Sequence, residues 1–212
     1  MTIGRRSRPS LVVTPQREVE PSDAALIAAA RGGNGAAFSR LFRRHADAVR
    51  TRLTRLVGPV AERDDLVQHV FIALHRALPA YRNEGTVSTY LHRIAVNAAY
   101  DHLRARRRQG DRASPPDVGE LVGGASPALE DQVAARADLA RLLALLDQLS
   151  PKKRIAFVLF AVEGCSLAEA AALIGAAEDT VKQRALHARR YLLARLAAAT
   201  GADGASPVEG TS

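Results

Sequence analysis

Residues 166–190 constrain the fold of this chain more than any other stretch, because they carry the signals for two short helices joined by a tight turn. Ser166 and Glu169 have the spacing of a capping box, in which the two residues satisfy each other's backbone N–H groups and fix a helix start. Gly175 follows, and glycine readily adopts the left-handed conformation that ends a helix. The pattern predicts a helix-turn-helix whose second helix opens at Ala177.

The second helix of this pair carries many long cationic and amide side chains. Its apolar positions fall at roughly helical spacing and predict a packed face; they are Val181, Ala185, Leu186 and Leu192. No acidic residue occurs between positions 179 and 203, whereas a merely soluble helix normally mixes both signs of charge. Such a helix suits the major groove of DNA. A helical hairpin with a solvated basic face is the alternative interpretation.

Composition predicts an all-α protein. Hydrophobic residues make up 47% of the 212 residues, but aromatic residues make up only 4% and tryptophan is absent. Alanine and leucine therefore carry the apolar content, which is typical of packed helices rather than of sheets. The length allows one medium domain or two small ones.

The charge balance restricts the kind of partner. A formal net charge of +8 favours a polyanion, most economically a nucleic acid and otherwise a membrane surface. Cys165 is the only cysteine, so we expect no disulfide framework, no cysteine-rich metal site and no cofactor. The sequence has no apolar run long enough to span a bilayer and no signal peptide, which predicts a cytoplasmic protein without membrane insertion.

Proline, glycine and periodicity divide the chain into five segments. Residues 1–22 are predicted to be a disordered basic leader. Residues 23–108 form a first helical module, and residues 135–199 form a second one that contains the helix-turn-helix. Residues 109–134 have the composition of a flexible linker, and residues 200–212 form a tail without pattern. The predicted fold is all-α, with two small helical domains joined by a flexible linker.

The predicted helices of the first module are bounded by helix-breaking residues. They run from Asp23 to about Gly32, from there to Gly58, from about Ala61 to Leu78, and from about Val87 to Arg108. In the second module, Ser150 and Pro151 predict a helix start, since serine caps helices and proline suits the first turn.

Three stretches carry a resemblance to a known family. The first module contains AAFSRLFRRHADAV and DDLVQHVFIALHRALPAYRNEGTVSTYLHRIAVNAAYDHLRARRR, in which an Asp-Leu-Val-Gln helix precedes a loop and an Ile-Ala-x-Asn helix. The second module contains LDQLSPKKRIAFVLFAVEGCSLAEAAALIGAAEDTVKQRALHARRYL. These stretches resemble regions 2 and 4 of the extracytoplasmic-function sigma factors of bacterial RNA polymerase, in the sigma-70 family. The resemblance implies an alternative sigma factor that binds core polymerase and directs promoter recognition, DNA melting and transcription initiation.

The resemblance implies two binding surfaces on the first module. One helix face would dock on the beta-prime clamp helices of core polymerase, through Asp65, Leu66, Gln68 and His69. The next loop and helix would melt and hold the minus-ten element, through Tyr81, Asn83, Ser88, Tyr90, Arg93, Asn97 and Arg104. Asn97 would read a flipped base, because an amide bonds a base edge while aromatic or arginine planes stack on it. A local capping role is the alternative for Asn97.

In the second module, the resemblance implies that the second helix of the motif reads the minus-thirty-five element of promoter DNA. Arginine and lysine suit guanine edges, and glutamine suits adenine. Arg189 and Arg190 would hold phosphates, which position the domain without specifying sequence. The implied residues are Thr180, Lys182, Gln183, Arg184, His187, Arg189 and Arg190. The resemblance also implies contact with the beta flap of the polymerase and control by an anti-sigma factor.

Departures from the family pattern fall in both modules. The family usually has tryptophan at the position of Tyr90 and near His75, and a serine or threonine cap at Ala177. Tyrosine still stacks, but alanine lacks a capping side chain, which weakens the helix start by about 0.5–2 kcal/mol. The usual Ser-Arg-Leu of the second helix is replaced by residues 183–185, Gln-Arg-Ala, so the base preference at that step stays open.

Two other classes of function are alternatives to this interpretation. An enzyme has little support, because the sequence shows no phosphate-binding glycine loop and no histidine and cysteine cluster with metal-ligand spacing. A stand-alone helix-turn-helix regulator is the stronger alternative. Its first module would bind a ligand or dimerise, which predicts a pocket or a symmetric apolar face in residues 23–108 instead of an exposed, charged docking face.

Overall fold

The computed structural model describes residues 20–81, 85–110 and 129–202, and all regular structure in these ranges is helical, as predicted. The α-helices are α1 (Asp23–Arg31), α2 (Gly35–Val57), α3 (Arg63–Ala77), α4 (Val87–Gln109), α5 (Leu129–Gln148), α6 (Pro151–Phe157), α7 (Leu167–Ile174) and α8 (Glu178–Ala202). A 3-10 turn (Leu78–Ala80) follows α3, and a π-helical turn (Val158–Val162) continues α6. Most of the predicted leader, linker and tail lies outside the described residues.

In the first module, α1 to α4 pack around a core of aliphatic and aromatic side chains. α2 begins at Asn34, whose Oδ1 accepts a hydrogen bond from the backbone N–H of Ala37 at 3.1 Å. It ends at Gly58, whose φ of +85° lies in the region that favours glycine. The core side chains of α2, α3 and α4 that are wholly buried include Leu41, Leu53, Leu56, Val70, Leu74 and Leu91. The predicted helices of this module are all present.

The second module contains the predicted helix-turn-helix. At the start of α7, Oγ of Ser166 accepts a hydrogen bond from the N–H of Glu169 at 3.2 Å, and the Glu169 carboxylate accepts one from the N–H of Ser166 at 2.8 Å. The backbone N–H and the hydroxyl of Ser166 both donate hydrogen bonds to the Glu169 carboxylate, and these bonds lower the pKa of that carboxyl. Gly175 ends α7 in the left-handed conformation, with a φ of +68°. Ser150 occupies the N-cap of α6 as predicted, although its side chain makes no capping hydrogen bond.

α5 and α8 extend beyond the predicted module boundaries. α5 begins at Leu129, so residues 129–134 are helical even though they fall in the predicted linker. This part of the segment lacks the prolines and glycines that precede it, and Ala134 and Ala135 are strong helix formers. α8 continues to Ala202, three residues past the predicted end at 199.

The buried face of α8 differs from the predicted one at a single position. Leu186 is 37% exposed, whereas Ala188 is fully buried. The buried residues Val181, Ala185, Ala188 and Leu192 repeat at steps of four, three and four, which follows one face of a helix. Leu186 lies about 100° around the helix from Ala185, so the prediction that it packs in the core is wrong.

The two modules pack against each other. α4 contacts α6 and α7, and α2 contacts the π-helical turn. Buried side chains from both modules, including Leu103 and Leu159, belong to one continuous apolar cluster, and a smaller cluster lies between α5 and α8. The modules that the sequence predicts as tethered domains therefore share an interface in this structure.

Candidate nucleic-acid interface

The N-terminal half of α8 presents polar and cationic side chains away from the core. The exposed residues of the predicted minus-thirty-five set are Lys182, Gln183, His187, Arg189 and Arg190, and the half-buried ones are Thr180 and Arg184. At 3.6 residues per turn, Gln183 and Arg190 point directly away from the buried face, with Lys182 and Arg184 to either side. The structure therefore places the whole predicted set on one helix, with Gln183, His187 and Arg190 on its outward side and the others on its flanks.

α8 begins without a side-chain cap. The carbonyl of Ala177 accepts the first helical hydrogen bond, from the N–H of Val181 at 3.1 Å, so Ala177 occupies the N-cap position. Alanine offers no oxygen to the free N–H groups of the first turn. Glu178 and Asp179 in that turn give partial compensation, because negative charge is favourable near a helix N-terminus.

A second polar stripe runs along α4. Arg93, Asn97 and Arg104 are exposed, and Tyr90 is half-buried. Their spacing of three, four and seven residues places them on one face of the helix. The Cζ atom of Arg93 lies 5.4 Å from the centre of the Tyr90 ring, within the range of a cation–π contact. The stripe thus combines an amide, an aromatic ring and guanidinium groups, the chemistry that an unstacked base requires.

Two contacts fix the start of α4 and the ring of Tyr90. Oγ1 of Thr86 accepts a hydrogen bond from the N–H of Thr89 at 3.1 Å and caps the helix. The ring of Tyr81 meets the ring of Tyr90 edge-on, with 5.0 Å between their centres. Ser88 is half-buried in the first turn.

Tyr81 does not lie on the surface, although the resemblance places it among the DNA contacts. Tyr81 is only 6% exposed, and its hydroxyl oxygen is buried without a hydrogen-bond partner in the described part of the chain. Burial raises the pKa of its phenol. The tyrosine ring is mostly apolar, so its burial in the core is more favourable than its exposure to solvent. In this structure Tyr81 therefore packs against the ring of Tyr90 and not against solvent. Asn83 lies outside the described residues.

A basic cleft lies where the end of α4 meets the start of α6. It has a volume of about 290 Å³ and is lined by Tyr100, Arg104, Arg107, Arg108, Ser150, Pro151 and Lys152. The cleft places Arg104 of the predicted minus-ten set beside cations of both modules. Lys152 was missed by the sequence analysis, because its proximity to α4 depends on how the modules pack.

The outer face of α3 carries the residues predicted to dock on polymerase. Asp65, Gln68 and His69 are exposed, and Leu66 is half-buried. Next to them is a shallow groove of about 540 Å³, lined by His69, Ile72, Ala73, Arg76 and Ala77. Ile72 is 50% exposed and was missed by the sequence analysis, although its position three residues after His69 marks the same face.

Among the described residues, no group of three histidine, cysteine, aspartate or glutamate side chains could hold a metal ion. In the same part of the chain, no helix is both long and apolar enough to cross a membrane. Cys165 is half-buried between the π-helical turn and α7, and burial raises the pKa of its thiol.

Comparison with known proteins identifies both modules. Residues 41–109 match Sigma-70 region 2, and residues 139–192 match Sigma-70 region 4. The ECF RNA polymerase sigma factor SigM of Mycobacterium tuberculosis (strain ATCC 25618 / H37Rv) is 37% identical over 174 residues, which cover 82% of this chain and 84% of SigM.

Two further sigma factors are similar to this chain, and each has a solved structure. The RNA polymerase sigma factor CnrH of Cupriavidus metallidurans is 36% identical over 84% of this chain and 95% of its own length. The structure of CnrH in complex with the cytosolic domain of CnrY aligns with a TM-score of 0.58 and 31% identity, over 84% of this chain and 99% of that one. The sigma factor RpoE of Bartonella quintana, solved with the anti-sigma factor NepR, aligns with a TM-score of 0.54 and 25% identity, over 75% of this chain and 96% of RpoE.

The matched regions contain α4 and the part of α8 that carries the predicted minus-thirty-five set. This chain belongs to the extracytoplasmic-function group of the sigma-70 family, the RNA polymerase sigma factors that direct transcription initiation.

Proposed function

We propose that α4 and α8 divide the promoter between them, with α4 on the minus-ten element and α8 on the minus-thirty-five element. In this division residues 23–108 form the region 2 domain and residues 135–199 the region 4 domain, joined by residues 109–134. The observation that carries the proposal is that each module exposes a polar helix face of the chemistry its DNA substrate requires. α4 offers an amide on the same face as an aromatic ring that a guanidinium covers, and α8 offers exposed cations and an amide.

On α4, we assign Asn97 to the reading of a base flipped out of the duplex. An exposed amide can donate to and accept from a base edge, and Tyr90, about two turns earlier on the same face, supplies a stacking plane. Arg93 packs over Tyr90 and Tyr81 packs against its edge, so the stacking ring is held before DNA arrives. Arg104 meets phosphate further along the same face. Ser88, in the first turn of α4, and Asn83, which precedes the helix in the sequence, complete the set.

On α8, Gln183 at the outward pole and its sequence neighbours Lys182 and Arg184 enter the major groove. Gln183 suits adenine, and Lys182 and Arg184 suit guanine, because these side chains match the acceptor and donor patterns of those base edges. Thr180 and His187 contact the groove above and below them. Arg189 and Arg190 hold phosphates and set the position of the module on the duplex.

The exposed face of α3 docks on the beta-prime clamp helices of the polymerase. Asp65, Gln68 and His69 supply the polar rim, and Ile72 supplies an exposed apolar centre, the arrangement usual in protein interfaces. We place the beta flap on the second module, where Phe160 and Val162 of the π-helical turn are 47% and 51% exposed.

An anti-sigma factor is a further proposed partner. The aligned structures hold CnrH with the cytosolic domain of CnrY, and RpoE with the anti-sigma factor NepR. We extend this type of partner to the present chain and place the protein in the cytoplasm, acting by binding and not by catalysis. The stand-alone regulator is not favoured, because sigma-factor matches cover the first module as well as the second.

A pair of amide substitutions tests the division of labour within the first module. Asn97→Ala should abolish promoter melting and run-off transcription in a reconstituted reaction, while core polymerase binding stays at its normal level. Gln68→Ala removes the same amide group from α3 and should weaken core binding instead. Melting is measured by permanganate reactivity of unpaired thymines, and core binding by fluorescence anisotropy.

The opposite pattern would overturn the assignment. If Asn97→Ala reduces core binding or thermal stability as much as it reduces melting, Asn97 has a structural role in the first module. If no promoter and no core polymerase respond to the unsubstituted chain, the whole proposal is wrong.

A further inference from the structure

The first helix of the chain, α1, packs close to the aromatic contact that supports the polar stripe of α4. The match to Sigma-70 region 2 begins at residue 41, so it leaves α1 without an assigned role. Leu26 and Ile27 of α1 are nevertheless buried in the same apolar cluster as the core of α2 to α4. α1 packs on α2 and on the 3-10 turn, and this turn leads directly to Tyr81.

Arg31, in the last turn of α1, holds the 3-10 turn. Its Nη2 donates a hydrogen bond of 3.0 Å to the carbonyl of Pro79, 48 residues later in the chain. Carbonyls at the end of a helix lack partners within it, and a charged donor makes a stronger hydrogen bond than a neutral one. Within the turn, the N–H of Tyr81 donates to the carbonyl of Leu78 at 3.2 Å. The guanidinium of Arg31 therefore fixes the backbone just before Tyr81.

The other end of α1 is fixed on α2. Oδ1 of Asp23 accepts a hydrogen bond from Nη1 of Arg44 at 2.7 Å, and Oδ2 lies 2.8 Å from Nε2 of His45. α1 has nine residues, and a helix of this length is not stable in water without tertiary contacts. Contacts at both ends therefore determine where Arg31 lies relative to the core of the module.

The Tyr81 ring depends on its surroundings for its orientation. Its hydroxyl has no hydrogen-bond partner within the described ranges, so packing and not a polar contact orients the ring. Burial is the main cause of the raised pKa of the Tyr81 phenol, and interactions with Tyr90 and with the Asp23 carboxylate add to it. The start of α1 is thus near the phenol, while the end of α1 holds the turn that carries this residue.

The Tyr81 ring in turn restricts the ring of Tyr90. The two ring centres lie 5.0 Å apart with their planes at 65°, and the Cζ atom of Arg93 lies 5.4 Å from the centre of the Tyr90 ring. A half-buried side chain on a helix surface has more than one rotamer available, and neighbours on two sides select one of them. The contacts therefore run without a gap from Arg31 to the ring that we assign to base stacking.

We propose that Arg31 is a positioning residue for promoter melting. By holding the 3-10 turn through the Pro79 carbonyl, it sets the Tyr81 ring against Tyr90 and keeps the stacking plane for the flipped base in one orientation. Asp23 anchors the opposite end of α1 for the same purpose. The inference rests on the proposed role of Tyr90 in base stacking. It gives α1 a part in melting that requires no contact with DNA or with polymerase.

Fluorescence tests the proposal in the free, full-length protein. The chain contains no tryptophan, so Tyr90→Trp places a single indole at the stacking position. In this background Arg31→Ala should increase the fast, nanosecond part of the anisotropy decay of the indole, because the neighbouring ring is no longer held. Asp23→Ala should act in the same direction by releasing the other end of α1, and it supplies the same test if Arg31→Ala does not fold by circular dichroism.

Two matched variants control this measurement. Arg31→Lys should keep the slow decay in large part, because an ammonium group also donates to the Pro79 carbonyl. Arg40→Ala removes the same side chain from an exposed position on α2 that none of these contacts involves, and it should leave the decay unchanged.

Binding of the polymerase holoenzyme to forked promoter DNA, with the minus-ten element single-stranded, measures the consequence for function. Arg31→Ala should weaken this binding about tenfold, since part of the stacking contribution is lost, while core polymerase binding stays at its normal level. In a Tyr90→Leu background, Arg31→Ala should have little further effect, because residues that act through one another are not additive.

The outcomes separate this proposal from the function on which it rests. If Arg31→Ala leaves the indole motion unchanged while the protein stays folded, or if its effect on forked DNA adds in full to that of Tyr90→Leu, Arg31 does not position this ring and the proposal is wrong. Increased indole motion together with normal forked-DNA binding by Tyr90→Leu would instead overturn the assignment of Tyr90 to base stacking, with Arg31 confirmed as the residue that fixes the ring.

Discussion

α4 and α8 both carry candidate DNA contacts, but the fold holds them in different ways. α4 begins at Thr86, whose side chain caps it, and packs on α2 and α3 as well as on α6 and α7. α8 begins at Ala177 without a capping side chain and packs on α5, α6 and α7 of its own module. α4 thus packs against helices of both modules, whereas α8 packs against helices of its own module.

This difference matches the two kinds of DNA that the helices are proposed to meet. A flipped base needs a pocket whose parts are in place beforehand, since unstacking already costs a few kcal/mol. The capped start of α4 and the Tyr81–Tyr90 contact meet that need. A helix lying in an intact major groove needs only outward side chains and phosphate anchors. Substitutions on α4 should therefore act on melting as a whole, and those on α8 should act base by base.

The largest effect expected on the α8 side comes from Arg184→Ala. Loss of one guanidinium from a base edge should cost about 1–3 kcal/mol on the preferred minus-thirty-five sequence and relax the preference at one base pair. Binding to a library of minus-thirty-five variants measures it. Arg190→Ala is the comparison, because loss of a phosphate contact weakens all sequences alike and lowers the salt dependence.

A uniform loss for Arg184→Ala would move this residue to the phosphate contacts. It would also blunt the contrast between the two helices, because α8 would then position the module without reading bases at that step.

Exchanging the caps gives a smaller effect on stability. Ala177→Ser should stabilise α8 by about 0.5–2 kcal/mol, since serine offers an oxygen to the free N–H groups of the first turn. Thr86→Ala should destabilise α4 by a similar amount, because it removes the 3.1 Å bond from Thr89. Thermal unfolding and amide hydrogen exchange in the first turn of each helix report the two changes.

Ala172→Ser is the control for the first of these changes. It places serine at an exposed position inside α7, where the residue lowers helix propensity, so its sign should be the reverse. If Ala177→Ser shows no gain, the start of α8 already has its N–H groups satisfied, and the two helices do not differ in their caps.

Local signals allowed most of the second module to be predicted from sequence. Ser166, Glu169 and Gly175 make their capping contacts within one or two turns of α7. Their spacing in the sequence is therefore enough to predict where this helix begins and ends. The outward set on α8 follows from helical periodicity in the same way. The prediction for Leu186 was wrong because Val181, Ala185, Ala188 and Leu192 form the buried face of α8, and Leu186 lies to one side of it.

Contacts between distant segments could not be predicted. Arg154 stands in a basic run, Lys-Lys-Arg, which suggests a solvated face, yet its partner is a carbonyl 98 residues away. The burial of Tyr81 depends on how the 3-10 turn meets α4. Tertiary packing determines the positions of both side chains. No periodicity or spacing in the neighbouring sequence predicts either position.

The smallest expected effect is a pH dependence of stability that arises from His102 on α4. His102 is half-buried near the end of this helix, and its Nε2 has no hydrogen-bond partner within the described ranges. Burial, with repulsion from Arg106, lowers its pKa below the ordinary value of 6.5. The unfolded chain then takes up this proton at a higher pH than the folded chain. The contribution of His102 to the free energy of unfolding should therefore be complete above pH 6.5. It should decrease as the pH falls toward the pKa of His102 in the folded chain.

Urea unfolding at several pH values measures this dependence, and His102→Gln should remove that part of the profile while leaving the stability at neutral pH nearly unchanged. The reason is that a neutral amide of similar size cannot take up the proton in either state. An unchanged profile in His102→Gln would mean that water reaches this ring as freely as it reaches the outward face of α8. The end of α4 would then be less firmly held between the modules than its packing indicates, and the contrast with α8 would be confined to the capped start at Thr86.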